Sequence, residues 1–316
     1  MAESPILSIV MSVRNAASTV EETMRSILAE REIDFELVLM DNGCTDDTIP
    51  RVRAFRDSRI RIYPGPGTSL AAAINEAFGH ARGRYIVRID GDDLCPLGSL
   101  ARRVEWLEAH PEFGAVSGAF ETMDVNGRNR ARTHTGDEPL ESTQELLDGK
   151  PRTHIGTFVI RADAVRAIGG TREWFKFLDD QDFQFRLAEH CRIMYLPILS
   201  LSYRLHNATI THSMGSETRK FYDRTANEFR RQRRETGEDD LMRGQPPQPP
   251  VVDREKPFDP RVQLSGHLVS CAWREHAKGR RRTALEFGLR ALRQSPLEPA
   301  LWKNMMMLAV KPPRVR

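Results

Sequence analysis

Three carboxylates close the run from Gly83 to Asp93 (GRYIVRIDGDD), and their types and spacing are the strongest chemical signal in the chain. Tyr85, Ile86, Val87 and Ile89 read as a buried strand, which cannot keep Asp90, Asp92 and Asp93 inside. The acids must sit at its carboxyl end, where open α/β sheets place ligands. Clustered carboxylates repel one another and want a cation. Oxygen-only ligands favour Mg2+ or Mn2+, metals that bridge protein carboxylates to a phosphate-bearing substrate. The expectation is a metal–diphosphate site, with Asp92 on the metal and Asp90 on a ribose or a metal-bound water. Gly91 would let the backbone come close to a ligand. The plainer alternative is a solvated turn whose carboxylates cap the next helix.

Other polar residues gather at similar places. Asp41-Asn42-Gly43-Cys44-Thr45-Asp46 stops the apolar run Phe35–Met40, and a carboxylate there can accept from the imide N–H of a uracil or thymine ring. By itself the segment is equally suited to an Asx-turn and helix cap. Asp179-Asp180-Gln181-Asp182 opens a helix, where acids often only complement the helix dipole, an effect of about 0.3–1 kcal/mol. Gly169-Gly170 and the aromatic residues Trp174, Phe175 and Phe177 precede it and suggest a flexible, aromatic-lined approach. A carboxylate at its end could act as general base toward an acceptor hydroxyl. His206 ends the segment YRLH; a lone histidine there reads first as a surface residue.

The elements that must hold these residues alternate in a βα rhythm over the first 120 residues. Strands are expected at Leu7–Val13, Phe35–Met40, Arg59–Tyr63, before Asp90 and near Ala115–Phe120. Helices are expected from a Ser18/Glu21 capping box to about Glu30, over Asp47–Phe55, over Ser69–Ala81 and near Leu100–Ala109. This pattern implies a parallel sheet and a nucleotide-binding type of fold. Asn15, Asp41 and Asp90 then fall at strand ends on one edge of that sheet. Further on, Asp124–Arg132 suggests a hairpin or loop, Ser142 with Glu145 caps a short helix, and Ile155–Ile160 reads as a strand. Asp179–His190 reads as a helix and Ile193–Leu205 as an extended segment.

Residues 236–260 are rich in proline and charge and read as a linker between a domain over 1–235 and an amphipathic helical extension over 261–316. In that extension Leu285, Leu289 and Leu292 share a face, and Ser295-Pro296-Leu297-Glu298 reads as a capping box with proline at the first helical position. A basic helix with Trp302, Met305, Met306, Met307 and Leu308 could lie on an anionic membrane surface or pack inward.

Bulk composition sets limits. A net charge of +3 does not demand nucleic acid. Cys44, Cys95, Cys191 and Cys271 have no zinc spacing and read as free thiols of a reducing cytoplasm. No secretion signal and no bilayer-spanning run is expected, so the chain reads as soluble or peripheral on the inner face of a membrane.

Taken in order, five segments resemble the inverting glycosyltransferases of family 2. Ser8–Asn15 (SIVMSVRN) is similar to the family's opening strand, and Phe35–Thr48 (FELVLMDNGCTDDT) to its "DDGSTDgT" segment. Leu70–Asp93 resembles a small-residue helix with an asparagine, here Asn75, followed by "GrYIaRmDaDD". Gly169–Leu187 is similar to "GGfde…EDyDlwlRl", and Tyr203–His206 to "YRxH". The match covers about residues 6–215. It implies a GT-A fold, that is, a Rossmann-like, mostly parallel sheet flanked by helices that binds a nucleotide-diphospho-sugar. It also implies transfer from a nucleoside-diphosphate-sugar, UDP- or dTDP-linked, to a hydroxyl of a glycan or lipid-linked glycan in cell-surface polysaccharide synthesis. Asn15, Asp41, Asn75, Asp90, Asp92 and Asp179 would then face the donor, Asp92 and His206 would hold Mg2+ or Mn2+, and Asp180 would be the catalytic base. Arg14, Asn42 and Asp179 depart from the family's usual tyrosine, aspartate and glutamate.

Other classes fit less well. A haloacid-type phosphatase also opens on a strand ending in DxD, but places it near the N-terminus, and a nucleotidyltransferase usually begins with a Gly-rich basic loop. A non-catalytic nucleotide-sugar-binding module would not need the intact acidic set. Loops 124–137 and 150–154 are where acceptor choice would lie.

Overall fold

The structure, a computed structural model, describes residues 4–128, 130–133, 135–176, 178–205, 216–250 and 259–312. The chain divides into two compact units. The first comprises residues 1–119, 135–201 and 216–255, and the second 120–134, 202–215 and 256–316. Composition had suggested a linker from residue 236. Residues 236–250 fall within the first unit, and Asp239 is fully buried there between Arg172 and Arg233.

The first unit is built on strands β1 (Leu7–Val13), β2 (Phe35–Asp41), β3 (Ile60–Pro64) and β4 (Tyr85–Arg88), joined by helices α1 (Val20–Leu28), α2 (Thr48–Arg53) and α3 (Leu70–His80). These strands pair in parallel in the order β3-β2-β1-β4. Alternation along each strand feeds two cores. Ile9, Met11, Leu37, Leu39 and Val87 belong to one, and Val10, Val38, Met40 and Ile86 to the other. A sheet buried on both faces explains why the sequence shows continuous apolar runs instead of alternation.

Beyond β4 come α4 (Ser99–Ala109), β5 (Ala115–Met123), β6 (Ala131–Arg132), β7 (Leu140–Glu141), α5 (Thr143–Leu147), a 3-10 turn (Ile155–Thr157), β8 (Val159–Arg161), α6 (Ala162–Ala167), α7 (Asp179–His190) and β9 (Ile193–Arg204). The sheet continues β4-β8-β5-β9-β7, with β8 antiparallel to β4 and to β5. The expected strand Ile155–Ile160 is thus a 3-10 turn followed by a shorter strand. Helix α8 (Ser216–Thr236) also belongs to this unit.

Two features fix the approach to β4. Glu36 is almost fully buried and accepts from Ser8 Oγ at 2.8 Å, Arg61 Nη1 at 2.6 Å and the Arg82 backbone N–H at 2.7 Å. Burial alone would raise its pKa, but the hydrogen bonds from Arg82, Arg61 and Ser8 outweigh it and hold the carboxyl below its usual range. Gly83 completes the corner: a Cβ there would lie 2.5 Å from the Ser8 backbone nitrogen.

In the second unit, α9 (Pro260–Ala277), α10 (Arg281–Gln294) and α11 (Pro299–Val310) pack around Leu264, Leu268, Ala291, Leu292 and Leu301, together with Ala131 and Leu205. The predicted β-hairpin forms, with β6 pairing against Glu121 and Thr122. The predicted capping boxes do not. Glu21 bonds Arg25 and Arg51, and Glu145 bonds Arg152, so neither carboxylate is turned back to its cap. The last helix starts at Pro299, three residues later than Pro296 implied, and Leu289 is 43% exposed while Leu292 is buried.

Candidate active site

Parallel pairing brings the carboxyl ends of β1, β2 and β4 to one edge. Val13 lies opposite Asp41, and the Asn42 N–H donates to the Val13 carbonyl at 2.9 Å. Past β2 the chain turns as its composition suggests. Asp41 Oδ1 accepts from the Cys44 N–H at 2.9 Å, and Asn42 Oδ1 accepts from Gly67 at 2.9 Å. Asn15 adopts a left-handed φ of 54° and accepts from the Thr45 N–H at 2.8 Å. Asn15 and Asp41 therefore shape one loop wall at the strand ends.

Asp90-Gly91-Asp92-Asp93 follows β4 directly. Asp93 is buried, its N–H donating to the Asp90 carbonyl at 3.2 Å, whereas Asp90 and Asp92 are partly exposed. Gly91 serves packing here: a Cβ would meet Val13 Cγ1 at 2.7 Å. Its carbonyl also accepts from Thr19 and Thr23 at 3.2 and 3.1 Å, which pins the turn to α1. The backbone approach inferred from glycine alone is thus accounted for by the protein's own core.

Helix α7 supplies the second set of acids, and each goes a different way. Asp179 is buried and accepts from Arg88 Nη1 at 2.8 Å. Asp182 is fully buried and accepts from Arg186 Nε at 2.8 Å, with Arg233 Nη1 at 3.5 Å and Arg172 Nε at 3.7 Å. Burial of that depth and three guanidinium neighbours go beyond a helix-dipole complement. Asp180, between them, lines an apolar recess with Phe78, Ile86, Ile160, Thr171, Phe183 and the flank of Arg88. Leu178, which caps the helix, holds a left-handed φ of 56°. A branched residue in that region marks local strain, and such strain is concentrated at functional sites.

Arg88 joins the two sets. It lies opposite Val10 in the sheet, donates to Asp179, and reaches Asp90 Oδ1 with Nε at 3.3 Å. Burial works against its charge, but Asp90, Asp179 and Asp180 outweigh that and raise its pKa further above its usual value. Burial pushes the Asp179 carboxyl up against the pull of Arg88, with Asp180 adding repulsion. Sequence reasoning passed over Arg88. Its signal was there: an arginine inside a buried strand leaves a charge that needs hydrogen-bonding partners.

Asn75 and the rings that precede α7 each have partners within the first unit. Asn75 Oδ1 accepts from the Thr171 N–H and hydroxyl, both at 2.8 Å, and its Nδ2 donates to the Thr171 carbonyl at 2.9 Å. Its amide is spent on holding the Gly169–Thr171 loop against α3. Phe175 is core, and Trp174 packs on it with ring centroids 4.9 Å apart and on Tyr222 at 5.5 Å. These rings pack the segment before α7 against α8. Phe177 and His206 lie outside the described residues.

Among the described residues no three His, Cys, Asp or Glu side chains form a ready metal cage. The oxygen donors of Asp90 and Asp92 still fit Mg2+ or Mn2+, which take only one or two protein carboxylates when substrate phosphates complete the shell.

Comparison with known proteins shows the family and the fold. The family described as "Glycosyl transferase family 2" matches residues 8–176. The putative glycosyltransferase EpsE of Bacillus subtilis is 30% identical over 208 residues, 60% of this chain and 72% of that protein. The Escherichia coli protein WfaP, named UDP-Glc:alpha-D-GlcNAc-diphosphoundecaprenol beta-1,3-glucosyltransferase, is 28% identical over 210 residues, 65% of this chain and 80% of that one. In other relatives the match takes in only 15–21% of a longer protein. Residues 1–349 of S. aureus TarS, solved with UDP-GlcNAc, superpose with a TM-score of 0.57 at 14% identity, over 96% of this chain and 79% of that one. The chain belongs to glycosyltransferase family 2, with the GT-A fold, and is a glycosyltransferase.

Proposed function

We propose that this enzyme transfers a hexose from a UDP- or dTDP-sugar to a hydroxyl of a glycan or lipid-linked glycan acceptor, with inversion, in cell-surface polysaccharide synthesis. The observation that carries the reading is that Arg88 brings the carboxylate turn after β4 and the first turn of α7 to one place. In this reading Asp92 and Asp90 hold the metal-bridged diphosphate, and Asp180 is the general base toward the acceptor. Asp41 and Asn15 shape the wall suited to the nucleoside. A bound Mg2+ or Mn2+ would neutralise the leaving diphosphate. With one acid as base, a single in-line displacement suffices. The donor and acceptor in WfaP's name, and the UDP-GlcNAc bound in TarS, support a UDP-hexose and a diphospholipid-linked acceptor.

Thermal shift against a panel of nucleotide sugars with Mn2+ tests the donor. Saturation to a hundredfold above Kd stabilises by about 2.7 kcal/mol, a rise of roughly 5–10 °C for a unit of this size. UDP- or dTDP-sugars should give it and GDP-sugars should not. A shift with simple phosphomonoesters alone would replace this reading with a phosphatase.

Peripheral membrane association is the remaining element of the proposal. Residues 259–316 carry twelve Arg and Lys against four Asp and Glu. Leu308 is buried, while Trp302 (54% exposed), Met306 (62%) and Val310 (80%) share the outer stripe of α11. The full chain should float with anionic vesicles and not with neutral ones, and Trp302→Ser with Met306→Ser should abolish flotation. Equal flotation of that double variant would remove α11 from the account.

A further inference from the structure

The buried guanidinium of Arg88 is an expensive choice of core residue. Taking an arginine and a carboxylate out of water costs several kcal/mol per ion, and apolar replacements of similar volume often serve stability as well. Its contacts show what it does that an apolar residue could not. Nη1 lies 2.8 Å from Asp179 Oδ2 and Nε lies 3.3 Å from Asp90 Oδ1, so one rigid fork spans two acids that are 89 positions apart in the chain. One contact is on the turn that carries Asp92. The other is on the residue before Asp180. The adjoining backbone is the left-handed Leu178, a conformation that must be held from outside.

We infer that Arg88 is a positioning residue for the transfer: its fork sets the first turn of α7, and with it Asp180, at a fixed distance from the carboxylate turn that receives the donor diphosphate. The role rests on the proposed transfer reaction, in which base and leaving group must act on opposite faces of one carbon. Misplacing such a pair by about 1 Å costs on the order of 100-fold in rate. The Asp182 cluster holds the other side of α7, through Arg186, which donates to the Ile168 and Gly170 carbonyls at 2.6 and 2.8 Å. Arg88 is then the side that joins α7 to the donor turn. Lysine keeps the charge but lacks the planar fork, so it cannot hold both acids in one geometry.

Two measurements on Arg88→Lys and Arg88→Met test this. Hydrogen exchange of the purified proteins reads the geometry without any substrate. Faster exchange in residues 178–183 with the rest of the first unit unchanged is expected. Unchanged exchange there in both variants overturns the inference, whatever the activity. Steady-state transfer with the donor found active on the wild type reads the consequence. Arg88→Lys should lose about 100-fold in kcat while UDP affinity with Mn2+ stays within about threefold of wild type. A kcat kept within threefold in a folded variant, or a kcat that falls only as UDP affinity falls, also overturns it. If wild type turns over no nucleotide sugar, the transfer reading fails, and the exchange result still decides whether Arg88 sets α7.

Discussion

Asp180→Asn should abolish sugar transfer while leaving the fold and donor binding intact. The substitution keeps shape and volume and removes only the ability to take a proton. General-base catalysis contributes about 100- to 10,000-fold, and a loss of that size in kcat is expected. Its neighbours make the test clean. Asp179 is held by Arg88, and Asp182 by Arg186, so neither ionic tie of the helix start depends on the Asp180 carboxylate. Calorimetry with UDP and Mn2+ should give a Kd within about threefold of wild type, well under the 1.4 kcal/mol that marks a tenfold change. Near-full transfer by a folded Asp180→Asn enzyme would assign the base elsewhere.

Asp92→Asn should produce the second large loss, of a different kind. A carboxylate on a divalent cation supplies charge as well as an oxygen, and an amide supplies only the oxygen. A metal acting as Lewis acid on a leaving diphosphate is worth several kcal/mol of transition-state stabilisation, so a fall of about 1,000-fold or more in kcat/KM is expected. The diagnostic reading is the binding of UDP. Wild type should bind UDP more tightly with Mn2+ than with EDTA, and Asp92→Asn should show little of that gain. The same Mn2+-dependent gain in both proteins would take Asp92 off the metal.

Strong one-dimensional signals were legible in the sequence. β1 and the start of α7 fall where apolar runs and acidic clusters put them, and the common edge of Asn15, Asp41 and Asp90 follows from parallel order. Signals that depend on which way a side chain turns were not. Glu21 and Glu145 fit a capping spacing, yet arginines across space compete for them and win, since a charged pair offers more than a local backbone N–H. Gly91 suggested ligand access, but only the placement of Val13 shows why a side chain is excluded. Trp174 and Phe175 precede an acidic helix and suggested an aromatic-lined approach, and the ring they pack on, Tyr222 on α8, is about 50 residues away. Arg88 was hidden for the opposite reason. It sits within the most informative segment of the chain, and reading β4 as an apolar strand passed over that strand's one charged member.

The central claim is a single displacement at the anomeric carbon with Asp180 as base, and the configuration of the product tests it most directly. Wild-type enzyme given an α-linked UDP-hexose and its acceptor should yield a β-linked product, read from the anomeric coupling constant by proton NMR. An α-linked product would require either two displacements through a covalent intermediate or same-face attack on an ion pair, and would contradict the role assigned here to Asp180.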